Sequence, residues 1–215
     1  MKEIIEVGLQ YAMAPVIVER FSKEQLNPLS EAIENIKFNN LREYNHKLAG
    51  NIEHEYDLFN NAELVNYITN LYSPLIIKHQ NTNNYFSSLK VLRTDADLIL
   101  TSLWVNFQRK NEFNPLHNHT GVYSFVLWYD IPYSIEDEKD LAHSKDSNSN
   151  VPGHFGFIKL DSNVIGGISQ TWLPVDKTWN FKTALFPSTL LHCVNPFYTS
   201  DRYRITVSGN FSLNN

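Results

Sequence analysis

The sequence contains almost no cysteine, because Cys193 is the only one. A single cysteine excludes an intramolecular disulfide, so we expect the protein to work in a reducing compartment. The first residues alternate charged and apolar side chains and lack the continuous apolar run that a signal peptide or a membrane span requires. These absences predict a cytoplasmic protein without a membrane partner.

An excess of basic charge is also missing. The chain has 18 Lys and Arg against 23 Asp and Glu, a formal net charge of −5 at pH 7. Proteins that bind nucleic acid neutralise phosphates with clustered Lys and Arg, so nucleic acid is not an expected partner. The motifs GxGxxG, GxxxxGKS/T, GxSxG and CxxC are absent too, which argues against common nucleotide-binding, serine-hydrolase and dithiol sites.

Two helices are predicted in the N-terminal part of the chain. Ser22 and Gln25 form a capping box before apolar residues at helical spacing, which predicts a helix near 22–38. Asn61 is a predicted N-cap for a second helix that continues beyond Pro74. Both helices are expected to pack on the outside of a sheet.

The pattern changes to strands from Leu98 onward, where Val, Ile, Phe, Tyr, Trp and Thr dominate. Strands are predicted at 98–108, 121–131, 154–160, 181–187, 189–195 and 202–213. Helices followed by strands indicate an α+β protein with an antiparallel second half. A length of 215 residues suits one domain, with 1–97 as mainly helical support and 98–213 as the β core.

The segment 133–152 interrupts the strands. It is acidic, then rich in Ser and Asn, and has almost nothing to bury, which predicts a long mobile loop. It is either a lid over a site or an inert surface excursion, and composition does not choose between them.

The distribution of histidine is the main chemical signal. His117 and His119 are two residues apart, and on a strand such residues project from one face about 6.5–7 Å apart, so both can reach one ion. His192, from a distant predicted strand, can complete the set. Neutral imidazole suits Fe, Zn, Cu and Ni, so the histidines do not name the metal. The alternatives are a polar strand end for the pair and a hydrogen-bonded core histidine for His192.

The remaining histidines show no convergent pattern and are expected to be surface or structural residues; they are His46, His54, His79, His143 and His154.

The last predicted strand has one polar and one apolar face. Its even positions from Arg202 to Asn210 are polar, and its odd positions are mostly apolar. The polar face meets solvent in an edge strand but lines the interior in a barrel, where a guanidinium would bind a carboxylate of a dicarboxylate co-substrate in a bidentate manner. The turn at 198–201 is expected to fold this strand back beside His192.

Several segments occur in the order seen in a known family: Trp104-Val105-Asn106, His117-Asn118-His119, Gly121-Val122-Tyr123, Tyr129-Asp130-Ile131-Pro132, Leu185-Phe186-Pro187-Ser188 to Phe197, and Arg202 to Phe211. The sequence resembles the prolyl-hydroxylase-like oxygenases of bacteria and phages that depend on 2-oxoglutarate and Fe(II), several of which carry H-x-H in place of H-x-D. The likeness covers about residues 98–213, and its most specific part is the FPSxLxHxVxPF tail with the following Arg-Ile.

The resemblance implies a double-stranded β-helix, or jelly-roll, with the N-terminal helices outside. It implies a hydroxylase that uses Fe(II), 2-oxoglutarate and O₂, and it hints at a peptidyl or free amino acid as substrate. Carried over by position, His117 and His192 would be metal ligands, and His119 would take the carboxylate position of the facial triad. Arg204 would bind the distal carboxylate of 2-oxoglutarate.

Strand parity extends the predicted site. Trp104, Asn106 and Tyr123 are expected to face the same pocket and contact the co-substrate, with ordinary packing as the alternative. Arg202 is expected to pair with Asp201 or with solvent. Asp130 is not expected to supply an oxygen ligand, because it lies near the far end of a strand.

His119 leaves the predicted site without an anionic ligand, whereas oxygenases of this kind ordinarily use two histidines and one carboxylate. Two alternatives therefore stay open. One is a three-histidine cupin-type dioxygenase that needs no 2-oxoglutarate. The other is a non-catalytic jelly-roll module that binds Zn²⁺ or nothing, since one fold serves many functions.

Overall fold

The computed structural model describes residues 5–7, 16–38, 43–89, 97–161 and 164–214. Its strands are β1 Ile5–Val7, β2 Val16–Arg20, β3 His54–Asp57, β4 Leu98–Gln108, β5 Asn114–His117, β6 Tyr123–Asp130, β7 Phe155–Leu160, β8 Ile168–Leu173, β9 Lys182–Pro187, β10 Leu191–Val194 and β11 Arg204–Leu213. Its helices are α1 Asn27–Phe38, α2 Ala62–Asn83, α3 Tyr85–Ser88 and α4 Ile135–Lys139. Within these ranges, no helix has the length and apolar character needed to span a membrane.

The strands form two antiparallel sheets. The larger sheet has the order β1-β2-β9-β6-β11-β4-β3, and the smaller has the order β5-β10-β7-β8. All pairings between the named strands are antiparallel. The prediction of an α+β chain with an antiparallel β core is therefore confirmed.

Two apolar clusters give the protein its layers. One lies between the sheets and joins Val126 and Phe186 of the larger sheet to Phe155 of the smaller. The other lies between the opposite face of the larger sheet and the helices, and joins Val207 of β11 to Ile68 of α2. Successive side chains of a strand point to opposite faces, so β2, β6 and β9 of the larger sheet supply both clusters. The helices thus cover the outer face of that sheet, as predicted.

Local capping sets the beginning of both predicted helices. The Ser22 N–H donates to Gln25 Oε1 over 3.0 Å and the Gln25 N–H donates to Ser22 Oγ over 3.3 Å, which completes the capping box. A 3₁₀ turn then leads into α1. Asn61 Oδ1 accepts the Leu64 N–H over 3.0 Å at the start of α2, and the helix continues through Pro74. Both helix predictions are confirmed.

The structure adds strands that the sequence pattern did not predict. The six predicted strands correspond to β4, β6, β7, β9, β10 and β11, whereas β1, β2, β3, β5 and β8 were missed. The N-terminal part is consequently not only helical support, because β2 pairs with β9 and β3 pairs with β4 in the larger sheet. A short polar segment such as His54–Asp57 becomes a strand through its neighbour rather than through its own propensity.

The segment 133–152 buries more than its composition predicted. It contains α4, and both Tyr133 and Glu138 are buried. The Glu138 carboxylate accepts the backbone N–H groups of Tyr198 and Thr199 over 2.9 and 2.8 Å. The expectation that this segment has almost nothing to bury was wrong, because composition does not reveal a few well-placed anchors. Its mobility stays a prediction.

Candidate active site

A cavity of about 40 Å³ lies between the two sheets. Its walls combine aromatic rings with polar side chains, which include Glu55, Asn106, Asn114, His117, His119, His192 and Arg204. Cavities of this kind, apolar with a few convergent polar groups, are typical of small-molecule sites.

Three histidines meet in this cavity. One nitrogen from each of His117, His119 and His192 lies within 4.8 Å of the others, and the Nε2 atoms of His119 and His192 are 3.2 Å apart. His117 ends β5 directly opposite His192 on β10. His119 follows β5 and is held by its backbone N–H, which donates to the Ser188 carbonyl over 2.8 Å. The loop after β5, rather than strand alternation alone, therefore places His119.

Backbone carbonyls orient two of the rings. His117 Nδ1 lies 2.7 Å from the Pro115 carbonyl oxygen, and His192 Nδ1 lies 2.9 Å from the Leu190 carbonyl oxygen. A carbonyl only accepts, so each Nδ1 carries the proton and each Nε2 keeps its lone pair. This arrangement fixes tautomer and ring direction, as second-shell partners of metal-binding histidines do.

Burial keeps the three imidazoles neutral. It lowers the pKa of His117 despite the opposing hydrogen bond to Pro115, and it lowers the pKa of His119 to about 4 with a smaller contribution from His117. The pKa of His192 falls well below its usual value because of burial and the two neighbouring rings. Neutral imidazole is the form that binds metal, so the donor set fits an ion such as Fe, Zn, Cu or Ni. Among the described residues, no carboxylate or thiol joins this cluster.

Arg204 forms a second polar centre in the cavity. Its side chain is only 2% exposed. Its Nε donates to Gln108 Oε1 over 3.1 Å, and its Nη1 donates to the Tyr133 hydroxyl over 2.7 Å and to the Gly153 carbonyl over 3.2 Å. All of these partners are neutral, and no described carboxylate forms an ion pair with this guanidinium. A buried cation without a counter-charge is costly, so the site fits an anionic ligand.

The polar face of β11 lines the interior of the protein. Arg204, Thr206 and Ser208 face the cavity, whereas Val207 packs into the cluster beneath the helices. The strand lies between β6 and β4 in the larger sheet, and β10 belongs to the smaller one. The expectation that β11 folds back beside His192 was therefore wrong in its geometry, because the two strands face one cavity from opposite sheets.

Strand parity predicted two of the three additional pocket residues. Trp104 and Asn106 line the cavity. Tyr123 does not, because it is fully buried in the helix-facing cluster and its hydroxyl hydrogen-bonds His79 Nδ1 over 2.9 Å. It stands opposite Phe211 of β11, on the apolar face of that strand. The prediction for Tyr123 was wrong because one sequence does not show which parity of β6 faces inward.

Arg202 has a different partner from the one expected. Its Nη2 lies 2.7 Å from Asp130 Oδ2, whereas Asp201 pairs with Lys110 at 2.5 Å. The correction follows from the pairing of β11 with β6, which brings the end of β6 to the start of β11. Asp130 lies outside the histidine cluster, as expected.

Tyr133 and Glu55 are among the groups at the cavity that the sequence did not predict. Tyr133 bonds the Arg204 guanidinium, and Glu55 lines the cavity with an exposed fraction of 1%. Burial, helped by the nearby Glu112, raises the pKa of Glu55 to about 7. No periodicity or motif marks either residue, because each acquires its place through long-range packing.

Glu55 predicts a specific dependence of stability on pH. Folding raises the pKa of this carboxyl from 4.5 to about 7. The folded protein is therefore most stable, as far as Glu55 is concerned, below pH 4.5, and this stability is lost as the pH rises to about 7. Replacing Glu55 with Gln is therefore expected to stabilise the fold at pH 8 by up to about 3 kcal/mol, and by less than about 1 kcal/mol at pH 5. Urea unfolding of both proteins at the two pH values measures this difference. An equal effect at both pH values would contradict the assignment.

No family model and no curated protein matches this sequence. Solved structures do resemble it. A prolyl-4-hydroxylase from Pseudomonas putida superposes with a TM-score of 0.55 at 11% identity, over 95% of each chain. HygX from Streptomyces hygroscopicus, with nickel, 2-oxoglutarate and hygromycin B bound, gives 0.54 at 13% identity over 94% of this chain and 83% of that one.

A further similar structure is SnoN, an α-ketoglutarate-dependent non-haem epimerase from nogalamycin biosynthesis. It has a TM-score of 0.50 at 11% identity, over 92% of this chain and 78% of that chain. Such identities establish the fold alone. The chain thus has the fold shared by prolyl-4-hydroxylase-like and other 2-oxoglutarate-Fe(II) oxygenases, as its sequence resemblance predicted, and within that fold it brings a His-x-His pair and a third histidine together.

Proposed function

We propose that the protein is an Fe(II)- and 2-oxoglutarate-dependent oxygenase that hydroxylates a small-molecule or peptide substrate. One observation carries the proposal: three neutral imidazoles and a buried guanidinium without a counter-charge line the same cavity. The two sheets are then the two halves of a double-stranded β-helix, the architecture that the sequence resemblance implies.

His117, His119 and His192 would hold the metal. Bound there, Fe(II) with O₂ and 2-oxoglutarate would supply the oxidising power for attack on an unactivated C–H bond. The carbonyls of Pro115 and Leu190 keep two rings directed into the cavity, so the donor set is organised before metal arrives.

Arg204 would anchor the distal carboxylate of 2-oxoglutarate. Gln108 and Tyr133 hold its guanidinium in place, and the Tyr133 hydroxyl in turn donates to the Gly153 carbonyl over 2.9 Å. Burial raises the pKa of Tyr133, so this hydroxyl stays protonated and keeps its donor. Trp104 and Asn106 remain predicted contacts of the co-substrate.

Aromatic packing would keep the reacting centre dry. The ring centroids of Phe155 and Phe186 lie 5.7 and 5.0 Å from the ring centroid of His192. Water exclusion strengthens the electrostatic contact between an anion and Arg204, and it limits side reactions of a strong oxidant. The segment 133–152 contributes Tyr133 to this enclosure. Its role as a lid stays a prediction.

Release of CO₂ from 1-¹⁴C-labelled 2-oxoglutarate tests the proposed activity. We expect slow release that requires Fe(II) and O₂ even before the substrate is known, and faster release when a panel of free amino acids and peptides includes the substrate. The variant His192→Ala serves as the inactive control. Wild-type release no faster than that of this variant, in protein that holds iron, would contradict the proposal.

The absence of a described carboxylate from the histidine cluster favours a second candidate, a three-histidine dioxygenase that needs no 2-oxoglutarate. It predicts O₂ consumption with substrate in the absence of any 2-oxo acid, which an oxygen electrode measures. Arg204 favours the first candidate, because a dioxygenase of the second kind leaves that buried cation unexplained.

A further inference from the structure

Three oxygen atoms around the cavity accept no hydrogen bond. They are Glu55 Oε2, Asn106 Oδ1 and Asn114 Oδ1, each shielded from solvent and without a partner in the described part of the chain. All three residues line the cavity that holds the histidines. Native proteins pair nearly all of their buried polar atoms, so this set indicates a ligand that donates hydrogen bonds.

The three side chains approach from both sheets. Glu55 on β3 stands opposite Asn106 on β4. The Asn106 amide donates its Nδ2 hydrogen to Thr206 Oγ1 over 3.1 Å, so the atom left without a partner is an acceptor. Asn114 belongs to β5 in the smaller sheet.

Gly50 shows that the Glu55 carboxyl and the Asn114 amide lie close together. A Cβ atom at Gly50 would lie 2.4 Å from Asn114 Oδ1 and 2.8 Å from Glu55 Oε1. The carboxyl of Glu55 and the amide of Asn114 therefore close on the same small space, which only a glycine leaves free.

Glu55 also lacks an oppositely charged partner among the described residues. Its carboxyl is 1% exposed and forms no ion pair with a described residue, and the charged neighbour that acts on it is another acid, Glu112. The guanidinium of Arg204 donates its hydrogen bonds to Gln108, Tyr133 and Gly153 instead. The cavity thus offers one uncompensated cation and one uncompensated acid.

We propose that Glu55, Asn106 and Asn114 form a subsite for a protonated primary amine, so that the substrate is a small molecule bearing an ammonium group. An ammonium carries three N–H donors and no acceptor, which matches three acceptors that include one acid. A hydroxyl brings a single donor, and Ca²⁺ takes six or more oxygen ligands. Calling this group the substrate rests on the proposed oxygenase function, whereas the binding site itself does not.

Ligand-observed NMR with n-butylammonium and n-butanol tests the proposal on the full chain. The two probes share an apolar stem and differ in the charged group. We expect n-butylammonium to bind at least about tenfold more tightly than n-butanol, and Glu55→Gln to remove this preference, since a charge-assisted hydrogen bond to a buried group is lost. Equal binding of the two probes to the wild type would overturn the proposal.

Two further variants keep the test decisive. Asp201→Asn removes a carboxylate at an exposed position and is expected to leave n-butylammonium binding unchanged, which controls for net charge. Asn114→Ala removes one neutral acceptor and is expected to weaken n-butylammonium binding about threefold to tenfold. If Glu55→Gln fails to fold, this variant decides whether the subsite binds the amine. Undiminished n-butylammonium binding in folded Glu55→Gln, or in Asn114→Ala, would overturn the subsite.

The outcome is separable from that of the proposed function. Amine binding is measured without turnover, both without cofactors and with Fe(II) and 2-oxoglutarate under anaerobic conditions. If the amine binds through Glu55 but the protein forms no complex with Fe(II) and 2-oxoglutarate, the oxygenase proposal fails and the amine site stands. If that complex forms and the amine preference is absent, the amine site fails alone.

Discussion

Replacing His192 with Ala is expected to abolish stoichiometric binding of Fe(II), with a loss of affinity of at least about 100-fold. His192 is 3% exposed and lies close to both other rings, with centroid distances of 4.2 Å to His117 and 4.9 Å to His119. Its removal leaves two imidazoles in a cavity that offers no described replacement ligand. Anaerobic titration followed by metal analysis after desalting measures the effect.

Thermal stability gives an independent measurement of the same loss. Metal that binds only the folded state at 100 times its dissociation constant stabilises the protein by about 2.7 kcal/mol, so the wild type should melt at a higher temperature with Fe(II). This shift should vanish in His192→Ala and persist in His143→Ala, which replaces an exposed histidine outside the cluster. One equivalent of iron retained equally by both variants would contradict the assigned ligand set.

Replacing Arg204 with Gln is expected to weaken the binding of 2-oxoglutarate by at least about 100-fold while the metal stays bound, because a desolvated charge pair typically contributes several kcal/mol. The side chain is buried, its partners are neutral, and it does not touch the histidine cluster. The measurement is calorimetric titration of 2-oxoglutarate into the anaerobic Fe(II) protein.

Arg202→Gln supplies the matched control for this experiment. Arg202 lies two residues earlier, carries the same charge and is exposed to solvent. Its ion pair with Asp130 therefore contributes little to stability. We expect 2-oxoglutarate affinity to change less than about threefold in this variant, because its guanidinium is in water. Equal effects of the two substitutions would show that net charge, rather than the Arg204 site, governs binding.

The parts of the structure that the sequence predicted correctly are those that depend on local patterns. The capping box of Ser22 and Gln25 and the cap at Asn61 involve residues three positions apart, so the sequence contains the whole interaction. The alternation along β11 likewise shows a polar face that lines a cavity and an apolar face that packs under helices. Periodicity is informative wherever one face of an element is buried.

Other features escaped because they depend on contacts distant in sequence. Glu55 reaches the cavity only because β3 pairs with β4, and no local signal marks that strand. Tyr133 meets Arg204 across 71 positions of sequence. Tyr123 was misplaced because alternation predicts that residues share a face but not which face is inside. His119 was assigned to a strand that ends at His117, although its ring still reaches the cluster.

The central claim is that the three histidines and Arg204 act on one Fe(II)–2-oxoglutarate complex. Anaerobic addition of Fe(II) and 2-oxoglutarate, followed by visible absorption spectroscopy, tests it most directly. The account predicts a metal-to-ligand charge-transfer band that saturates at one equivalent of iron in the wild type and is lost in His192→Ala and, at the same 2-oxoglutarate concentration, in Arg204→Gln. A wild type that binds iron but shows no band, or a band that survives both substitutions, would contradict it.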